Sequence, residues 1–295
     1  MKRVLHIFGC LIAGCISLSA QHFSGFSAGG NFVHTLDKLP FTRSNTAGGA
    51  EIGLAYEWQS DYLLLRTGLL YSIQCPSMKV DSQWVTQEMI DTRGVRVTYR
   101  GLLDHRTDKL YMNQLTVPLM IGGTWKDLYL LAGLKATWTL ASSAKETAAL
   151  WTAGDYQGRY YEWLEYMPNH GYHDFEPVES RQSVVLRRWD LRLSAEVGYS
   201  FRLGAYAGRK PLPLMRIGLF AEYGLVSLIS GSSDAPRTET DWSEYLHVQT
   251  NHVYASGESK DSRANLLLYG IRLTFLFPVS DSPTNHRCQC LPFSR

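Results

Sequence analysis

The sequence has few cysteines, little charge and no long apolar segment after its N-terminus. Three of its five cysteines, Cys75, Cys288 and Cys290, lie outside the first 20 residues, which is too few for a disulfide framework. Cys288 and Cys290 have no second pair that would complete a four-ligand metal site. The absence of a later run of about 20 apolar residues excludes a protein that crosses a membrane with helices.

The chain also lacks an excess of either charge. It has 29 Lys and Arg residues against 27 Asp and Glu residues, a net charge of +2. Lys2 and Arg3 belong to the predicted signal peptide, so the rest of the chain is neutral. Neutrality removes the electrostatic basis for binding nucleic acid, and we predict no nucleic-acid partner. A hydrophobic content of 45% argues against disorder.

Residues 1–20 have the pattern of a secretory signal peptide. Lys2 and Arg3 precede the apolar stretch Val4–Leu18, and Ala20 provides a small residue at the expected cleavage site. The run that ends at Cys15 also resembles a lipoprotein box, so the exact processing site stays open. Either way, the chain is predicted to be exported.

Apolar and polar residues alternate with a period of two in eight segments. Between Leu191 and Leu203 the odd-numbered residues are nearly all apolar, whereas Arg192, Ser194 and Glu196 lie between them. This period predicts β-strands, and a length of about ten residues suits a tilted strand that crosses a bilayer. The eight segments lie near residues 25–34, 50–58, 63–74, 114–124, 128–139, 191–203, 215–225 and 267–277.

Short and long connections alternate strictly between these segments. The short ones span 58–62, 125–128 and 203–214, and the long ones span 35–46, 75–109, 141–187 and 230–263. This order is typical of transmembrane barrels with short periplasmic turns. We predict an all-β, eight-stranded antiparallel up-and-down transmembrane β-barrel with four longer extracellular loops, in the Gram-negative outer membrane. The predicted divisions are a signal peptide (1–20), the barrel (21–278) and a periplasmic tail (279–295).

The composition of the two strand faces predicts which one meets lipid. The polar faces are rich in glycine, as the crowded interior of a small barrel requires. Bulky aromatic residues of the apolar faces lie at strand ends, as in the two aromatic girdles of outer-membrane barrels. The predicted periplasmic girdle contains Trp58, Trp125, Phe201, Phe275 and Phe277, and the outer girdle contains Tyr71, Tyr111, Trp138, Trp189 and Tyr223.

The interior faces carry a nearly balanced set of charges. An eight-stranded barrel is just wide enough for side chains to fill it, and unpaired buried charge is costly. We therefore predict a closed, salt-bridged interior and no open pore. The predicted network consists of Glu51, Glu57, Arg66, Lys135, Asp190, Arg192, Glu196, Arg202, Arg216, Glu222 and Arg272.

Several strand segments resemble the large outer-membrane β-barrel domain family often described as PorT-like. They are Gly25–Phe32 (GFSAGGNF), Tyr111–Gly123 (YMNQLTVPLMIGG), Tyr129–Lys135 (YLLAGLK) and Gly270–Phe275 (GIRLTF). The resemblance covers about residues 22–278. It implies a barrel fold and, as an alternative function, an accessory role in secretion or outer-membrane assembly. The tail after Phe277 departs from the family's habit of ending at the last strand.

The segment 141–187 is the richest in aromatic residues. An aromatic surface in a long loop predicts binding of an extracellular protein or glycan. The alternative is that these residues pack on one another in strand extensions. The segment 75–109 alternates around Val95–Tyr99, and we expect it to extend strands above the membrane. The candidate ligand-binding residues are Trp151, Tyr156, Tyr160, Tyr161, Trp163, Tyr166 and Tyr172.

No sequence motif for catalysis stands out. His170, His173, Asp174 and Glu176 are close together but match no metal motif, and no Gly-x-Ser-x-Gly elbow is present. We predict no cofactor, no metal and no enzymatic activity, with a lipid- or peptide-modifying enzyme at the rim as the remaining alternative. The expected partners are outer-membrane lipid, an extracellular ligand and, under the family resemblance, secretion or assembly machinery.

Overall fold

A computed structural model of the chain describes residues 21–37, 42–60, 63–90, 94–156, 159–162, 174–183, 186–204, 212–228, 240–241, 247–248 and 264–279. Its regular elements are all β-strands. They are β1 (Gln21–Asp37), β2 (Thr42–Asn45), β3 (Ala47–Gln59), β4 (Leu63–Gln74), β5 (Ser77–Val80), β6 (Gln83–Ile90), β7 (Arg96–Trp125), β8 (Leu128–Tyr156), β9 (Arg159–Glu162), β10 (Glu176–Ser183), β11 (Trp189–Arg202), β12 (Leu214–Gly224), β13 (Thr240–Asp241), β14 (His247–Val248) and β15 (Ala264–Pro278). Among these residues, no helix is long and apolar enough to span a membrane.

Eight of the strands form a closed antiparallel ring. Going around it, the order is β1, β3, β4, β7, β8, β11, β12 and β15, and β15 pairs with β1 to complete the circle. Closure leaves no open strand edge along the ring. The prediction of an all-β antiparallel fold built on eight strands is therefore confirmed.

The two ends of the ring differ in their connections. One end, called the turn end here, contains the beginning of β1, the end of β15 and the links from β3 to β4, β7 to β8 and β11 to β12. The tightest link is the two-residue turn between Trp125 and Leu128, where Lys126 has a φ of 58°. The end of β1, the start of β3, the end of β4, the start of β11, the end of β12 and the start of β15 lie at the opposite end.

Two strands continue far beyond the ring at the end opposite the turns. β7 and β8 pair from Thr98 to Trp125, whereas β4 pairs with β7 only as far as Met112. Residues 96–111 of β7 thus project by about 50 Å along the strand, at the usual rise per residue. We call this projecting part the extension. It comprises residues 96–111 of β7, residues 142–156 of β8 and the shorter strands β2, β5, β6, β9 and β10.

The extension contains strands from two of the long segments between the predicted strands, 75–109 and 141–187. Within 75–109 the chain forms β5, β6 and the first part of β7, as the alternation around Val97 indicates. Within 141–187 it forms the end of β8, β9 and β10. The strands within 75–109 agree with the expected extension of strands above the membrane, and those within 141–187 agree with the alternative of strand extensions. Within 230–263 the described residues are the short β13 and β14 pair.

A β-bulge keeps the interior face continuous along β7. The pairing with β8 shifts between Asp104 and Thr107, and His105 has a φ of 51°. Leu103 and Arg106, on the two sides of the bulge, are both buried. Strict alternation from Leu103 would point Arg106 outward. The extra residue of the bulge shifts the alternation by one position, so that Arg106 points inward.

The interior of the ring is layered. Apolar side chains fill it near the turn end, charged side chains fill the middle, and a second apolar layer lies where the extension begins. The first layer contains Phe23, Ala55, Leu214 and Leu276 together with Leu64, Met120, Tyr129 and Leu131, and the second contains Val33, Met78, Leu110, Met112, Leu266 and Leu268. Apolar residues also cover the outside of the ring, where Leu119 is 70% exposed.

Candidate functional site

Glu196 is the hub of the charged layer. It lies on β11, is 1% exposed and accepts hydrogen bonds on both carboxylate oxygens. Arg66 on β4 and Arg272 on β15 donate to it through guanidinium nitrogens, and the Tyr129 hydroxyl donates at 2.8 Å. Because β4 and β11 are three places apart in the ring, the contact between Arg66 and Glu196 crosses the interior.

Each arginine of this hub also holds a second carboxylate. The Arg66 Nε lies 2.5 Å from Glu57, whose other oxygen lies 2.6 Å from Arg216. The Arg272 guanidinium lies 2.5 Å from Glu51. Charge-assisted bonds of this kind are roughly twice as strong as neutral ones. Arg66 and Glu57 face each other on the neighbouring strands β4 and β3, whereas the contacts of Arg216 with Glu57 and of Arg272 with Glu51 link strands that are not neighbours in the sheet.

The network continues through Glu222 on β12. Its carboxylate pairs with the Lys135 ammonium and lies 3.2 Å from Arg272. Arg192 contacts Asp190 at 2.9 Å through Nε and donates to the Gln114 side chain at 2.6 Å. Among the described residues, the members of this network come from every strand of the ring except β1, whose buried amide Asn31 donates instead to the Gln74 side chain at 2.8 Å.

Arg202 is the exception among the predicted interior charges. It is the last residue of β11 and is exposed, because the strand passes the end of the interior there. Without it, the layer has five bases and five acids, and the interior charges balance. The ten that the structure places inside are Glu51, Glu57, Arg66, Lys135, Asp190, Arg192, Glu196, Arg216, Glu222 and Arg272.

Two aromatic rings, those of Tyr129 and Phe220, contact the buried charges, and neither was predicted from the sequence. Arg66 and Arg216 lie 5.5 and 4.9 Å from the centre of the Tyr129 ring. Arg272 lies 4.2 Å from the centre of the Phe220 ring. These cation–π contacts add to the ion pairs when water is excluded. The cavity beside Arg66 and Arg272 has a volume of ≈ 10 Å³, close to the minimum for one water.

A pair of glycines makes room for Tyr129. Gly198 and Gly218 face each other across β11 and β12. A Cβ at Gly218 would lie 2.3 Å from the Tyr129 hydroxyl oxygen, and one at Gly198 would lie 2.7 Å from it. The paired glycines were therefore the sequence signal for a large inward side chain on a nearby strand.

A second buried charge cluster lies in the extension. Arg106 donates to both carboxylate oxygens of Asp108 at 3.0 Å and to Glu146 at 3.1 Å. A separate apolar cluster, which includes Leu103 and Leu150, lies farther from the ring. The extension thus has its own core and is a packed sheet.

Trp84, Leu102 and Trp151 form a row across the outer face of the extension. Leu102 is the register partner of Trp84 on one side and of Trp151 on the other. The two tryptophan rings meet edge to face, with centres 5.9 Å apart, and Trp84 is 61% exposed. We call Trp84, Leu102 and Trp151 the tryptophan row. Of the two tryptophans, Trp151 was predicted from the sequence as a ligand-binding residue and Trp84 was not.

The other predicted ligand-binding aromatics do not all join this row. Tyr156 packs on the core side of β8 against the Leu103 cluster, on the face opposite Trp151. Tyr160 and Tyr161 lie on β9, opposite Asp155 and Gly154 of β8. The remaining three, Trp163, Tyr166 and Tyr172, lie outside the described residues.

The rim at the start of the extension brings one hydroxyl close to an imidazole. The Ser44 Oγ lies 3.3 Å from the His34 Nδ1, and the Thr35 N–H donates to the same oxygen at 2.9 Å. In the part of the chain that the structure describes, no carboxylate contacts His34. His105 contacts Asp104 at 2.9 Å, and His170 and His173 lie outside the described residues.

Hydrogen bonds tune the acidity of Asp104 beside the bulge. The Ser82 hydroxyl donates to it at 2.5 Å and the His105 N–H donates at 2.9 Å. The Ser82 bond contributes most, and together these donors lower the pKa of Asp104 below its ordinary value. Asp104 therefore stays ionised near neutral pH.

The chain has distant structural likenesses among known proteins. No protein-family model and no curated protein sequence matches the chain. Two structures of Ail, the attachment invasion locus protein of Yersinia pestis, one of them in complex with the heparin analogue sucrose octasulfate, each align with 87% of this chain and 99% of their own, at 10% identity and a TM-score of 0.30. Neisserial surface protein A aligns over 85% and 97%, at 12% identity and a TM-score of 0.24. These values assign no family, and they do not support the PorT-like resemblance.

Proposed function

We propose that the chain is an outer-membrane β-barrel whose ring lies in the bilayer and whose extension projects outside the cell to recognise a ligand. The apolar outside of the ring supports the membrane location. Leu119 and Ile52 are 70% and 62% exposed there. Exposed apolar side chains occur on every strand of the ring. A soluble protein rarely exposes so continuous an apolar surface, whereas a lipid-facing band requires one.

Export orients the molecule in this proposal. A signal peptide at 1–20 delivers the chain to the periplasm, and both ends of the ring sequence, near Gln21 and Pro278, lie at the turn end. Insertion from the periplasm keeps the chain ends and short turns on that side. The extension then lies outside the cell, and residues 279–295 form a periplasmic tail.

The charged layer has a structural role in this proposal. Its five acids and five bases neutralise one another, and apolar layers close the interior on both sides. A neutral, packed interior gives an ion no continuous aqueous path. We therefore assign the network of Glu196 and its partners to holding the ring together and not to transport.

The tryptophan row is the observation that carries the recognition role. Trp84 is exposed and Trp151 is partly exposed, and both stand on a packed sheet and not on a loose loop. Tryptophan is among the residues most enriched at the centres of binding surfaces. A rigid aromatic surface held away from the membrane suits an extracellular protein or a glycan, whose sugar rings stack on indole faces.

The recognition role is tested with the full chain in lipid nanodiscs on a glycan array and a panel of extracellular-matrix proteins. We expect at least one binder, with affinity reduced tenfold or more by Trp151→Ala or Trp84→Ala. The matched control is Trp125→Ala, since Trp125 is 72% exposed at the turn end. A complete absence of binders, or equal binding by all three variants, would overturn the proposal.

The secretion-accessory alternative makes the opposite prediction for the extension. Deleting residues 81–107 and 146–182 removes its outer part but keeps the ring strands. Under the recognition proposal, this deletion abolishes ligand binding and leaves protein secretion unchanged. Loss of secretion in the deletion strain would instead favour the accessory role implied by the PorT-like resemblance. An altered lipid A or surface-peptide profile in a null strain would favour the rim-enzyme alternative.

A further inference from the structure

Positive side chains of the extension line up directly beyond the outer aromatic girdle. On the outer face of β7, Lys109 lies two residues from Tyr111, which the sequence assigns to that girdle. Lys145 on β8 is the register partner of Lys109, and Arg181 on β10 is the register partner of Lys145. Three adjacent strands therefore present three cations in one row.

A second row of cations lies beside the first. Arg43 on β2 is the register partner of Lys79 on β5, and Lys79 pairs with Thr107 of β7. All of these cations except Lys145 are exposed, and Lys145 is partly exposed. We call the set the cationic belt, which consists of Arg43, Lys79, Lys109, Lys145 and Arg181.

In the described part of the chain, the carboxylates near the cationic belt are too few to neutralise its five positive charges. Glu179 contacts Lys145 at 2.9 Å. Asp81 and Asp104 line the same open cavity of ≈ 720 Å³ as Arg43 and Lys79. Within the described ranges, no carboxylate forms an ion pair with the other four cations of the belt.

Like charges directly opposite each other on neighbouring strands destabilise a sheet. Lys109 beside Lys145 and Arg43 beside Lys79 are two such pairs. The repulsion falls when an external anion binds between them. Phosphate is well suited to this role because lysine and arginine both bind it, and arginine can do so with two donors.

The depth of the belt identifies the anion, and this step rests on the proposed function. Tyr111 marks the level where lipid meets water. Two strand residues beyond it, Lys109 lies about 7 Å farther out. The polar headgroup region of a bilayer occupies about this depth on each side of the hydrocarbon. The belt therefore lies at the level of lipid phosphates.

We infer that the cationic belt binds the phosphate groups of anionic lipids in the outer leaflet. The bound lipid relieves the repulsion between neighbouring cations and fixes the extension relative to the membrane surface. The tryptophan row, farther out on the same face, stays free for its own ligand.

The test measures binding of purified lipopolysaccharide to the full chain folded in detergent. A Lys109→Gln, Lys145→Gln, Arg181→Gln triple variant is compared with a Lys126→Gln, Arg202→Gln double variant. The control positions are exposed cations at the turn end. A cation near an anionic surface contributes about a fivefold change in affinity, so we expect binding by the triple variant to be roughly 100-fold weaker. The control should bind like the wild type.

Three further arms make the outcome decisive. Lipopolysaccharide stripped of phosphate should bind weakly to every variant, and free inorganic phosphate should not compete at millimolar concentration. Equal binding by the triple variant and the control, or inorganic phosphate that binds as tightly as the lipid, would overturn the inference. Fractionation of cells shows whether the triple variant reaches the outer membrane. Failure of the wild type to do so would refute the proposed function instead.

Discussion

Replacing Glu196 with glutamine removes the charge at the centre of the interior network while nearly preserving its shape. Glu196 receives hydrogen bonds from Arg66, Arg272 and Tyr129 and is almost completely buried. The amide cannot neutralise the two guanidinium groups, and the balanced layer gains one uncompensated positive charge. Removing one partner of a buried ion pair costs about 3–5 kcal/mol. We therefore expect Glu196→Gln to lower the free energy of unfolding by about that amount.

Equilibrium unfolding in urea measures this change, with tryptophan fluorescence in lipid vesicles as the signal. Heat-dependent mobility in gel electrophoresis reports whether the ring is closed. Arg202→Gln is the matched control, because Arg202 is exposed and should change stability by no more than about 0.5 kcal/mol. Adding Arg272→Gln to Glu196→Gln restores neutrality and should recover part of the loss. A Glu196→Gln protein as stable as the control would refute the assignment of a structural role to the network.

Further predictions concern packing, closure and acidity. Gly218→Ala should destabilise the ring by about 1–3 kcal/mol in the same urea assay, because the new methyl group overlaps the Tyr129 hydroxyl; unchanged stability would show that this space is not needed. In planar bilayers the protein should show no large stable openings, and steps typical of porins would contradict the closed interior. Ser82→Ala should raise the pKa of Asp104 toward its ordinary value in a carboxyl NMR titration, so that Asp104 protonates at higher pH as the solution is acidified; an unmoved titration would show that Ser82 does not tune it. Burial raises the pKa of the Cys75 thiol, so its alkylation at pH 7 should be slower than that of a small-molecule thiol and should accelerate with rising pH; an equal rate at pH 7 would count against that burial.

Alternation predicted the ring well, because each ring strand has one apolar outer face and one small or charged inner face. The segment around Leu191–Leu203 shows the pattern in its clearest form, and β11 begins and ends close to where it predicts. The pattern is less distinct where apolar residues follow one another without interruption. Leu63–Leu65 and Leu266–Leu268 are continuous runs, so the sequence does not show that Leu64 and Leu266 point inward.

The extension was harder to predict because its strands depend on long-range pairing. Residues 142–156 carry Thr, Ala, Ser and Lys with weak alternation, and they become a strand by pairing with β7 and β10. The bulge at His105 shifts the pattern by one residue, which hides that Arg106 is buried. The tryptophan row is equally long-range, since Trp84 and Trp151 are brought together by β7.

The sequence predicts only in part which charged residues pair with each other inside the ring. Alternation shows which charged residues lie on the inner face and can therefore pair. It does not show that Arg66 reaches Glu196 across the ring. Arg202 was misplaced because alternation alone cannot show where the interior ends. The length of the side chains and the curvature of the ring determine both the Arg66–Glu196 contact and the place where the interior ends.

Labelling of single cysteines on intact cells tests the central claim most directly. In a background where Cys75, Cys288 and Cys290 are replaced by serine, Gln83→Cys lies in the extension and Lys126→Cys lies at the turn end. We predict that a membrane-impermeant maleimide labels Gln83→Cys on intact cells and labels Lys126→Cys only after the outer membrane is permeabilised. Labelling of Lys126→Cys on intact cells, or protection of Gln83→Cys, would contradict an outer-membrane ring with its extension outside the cell.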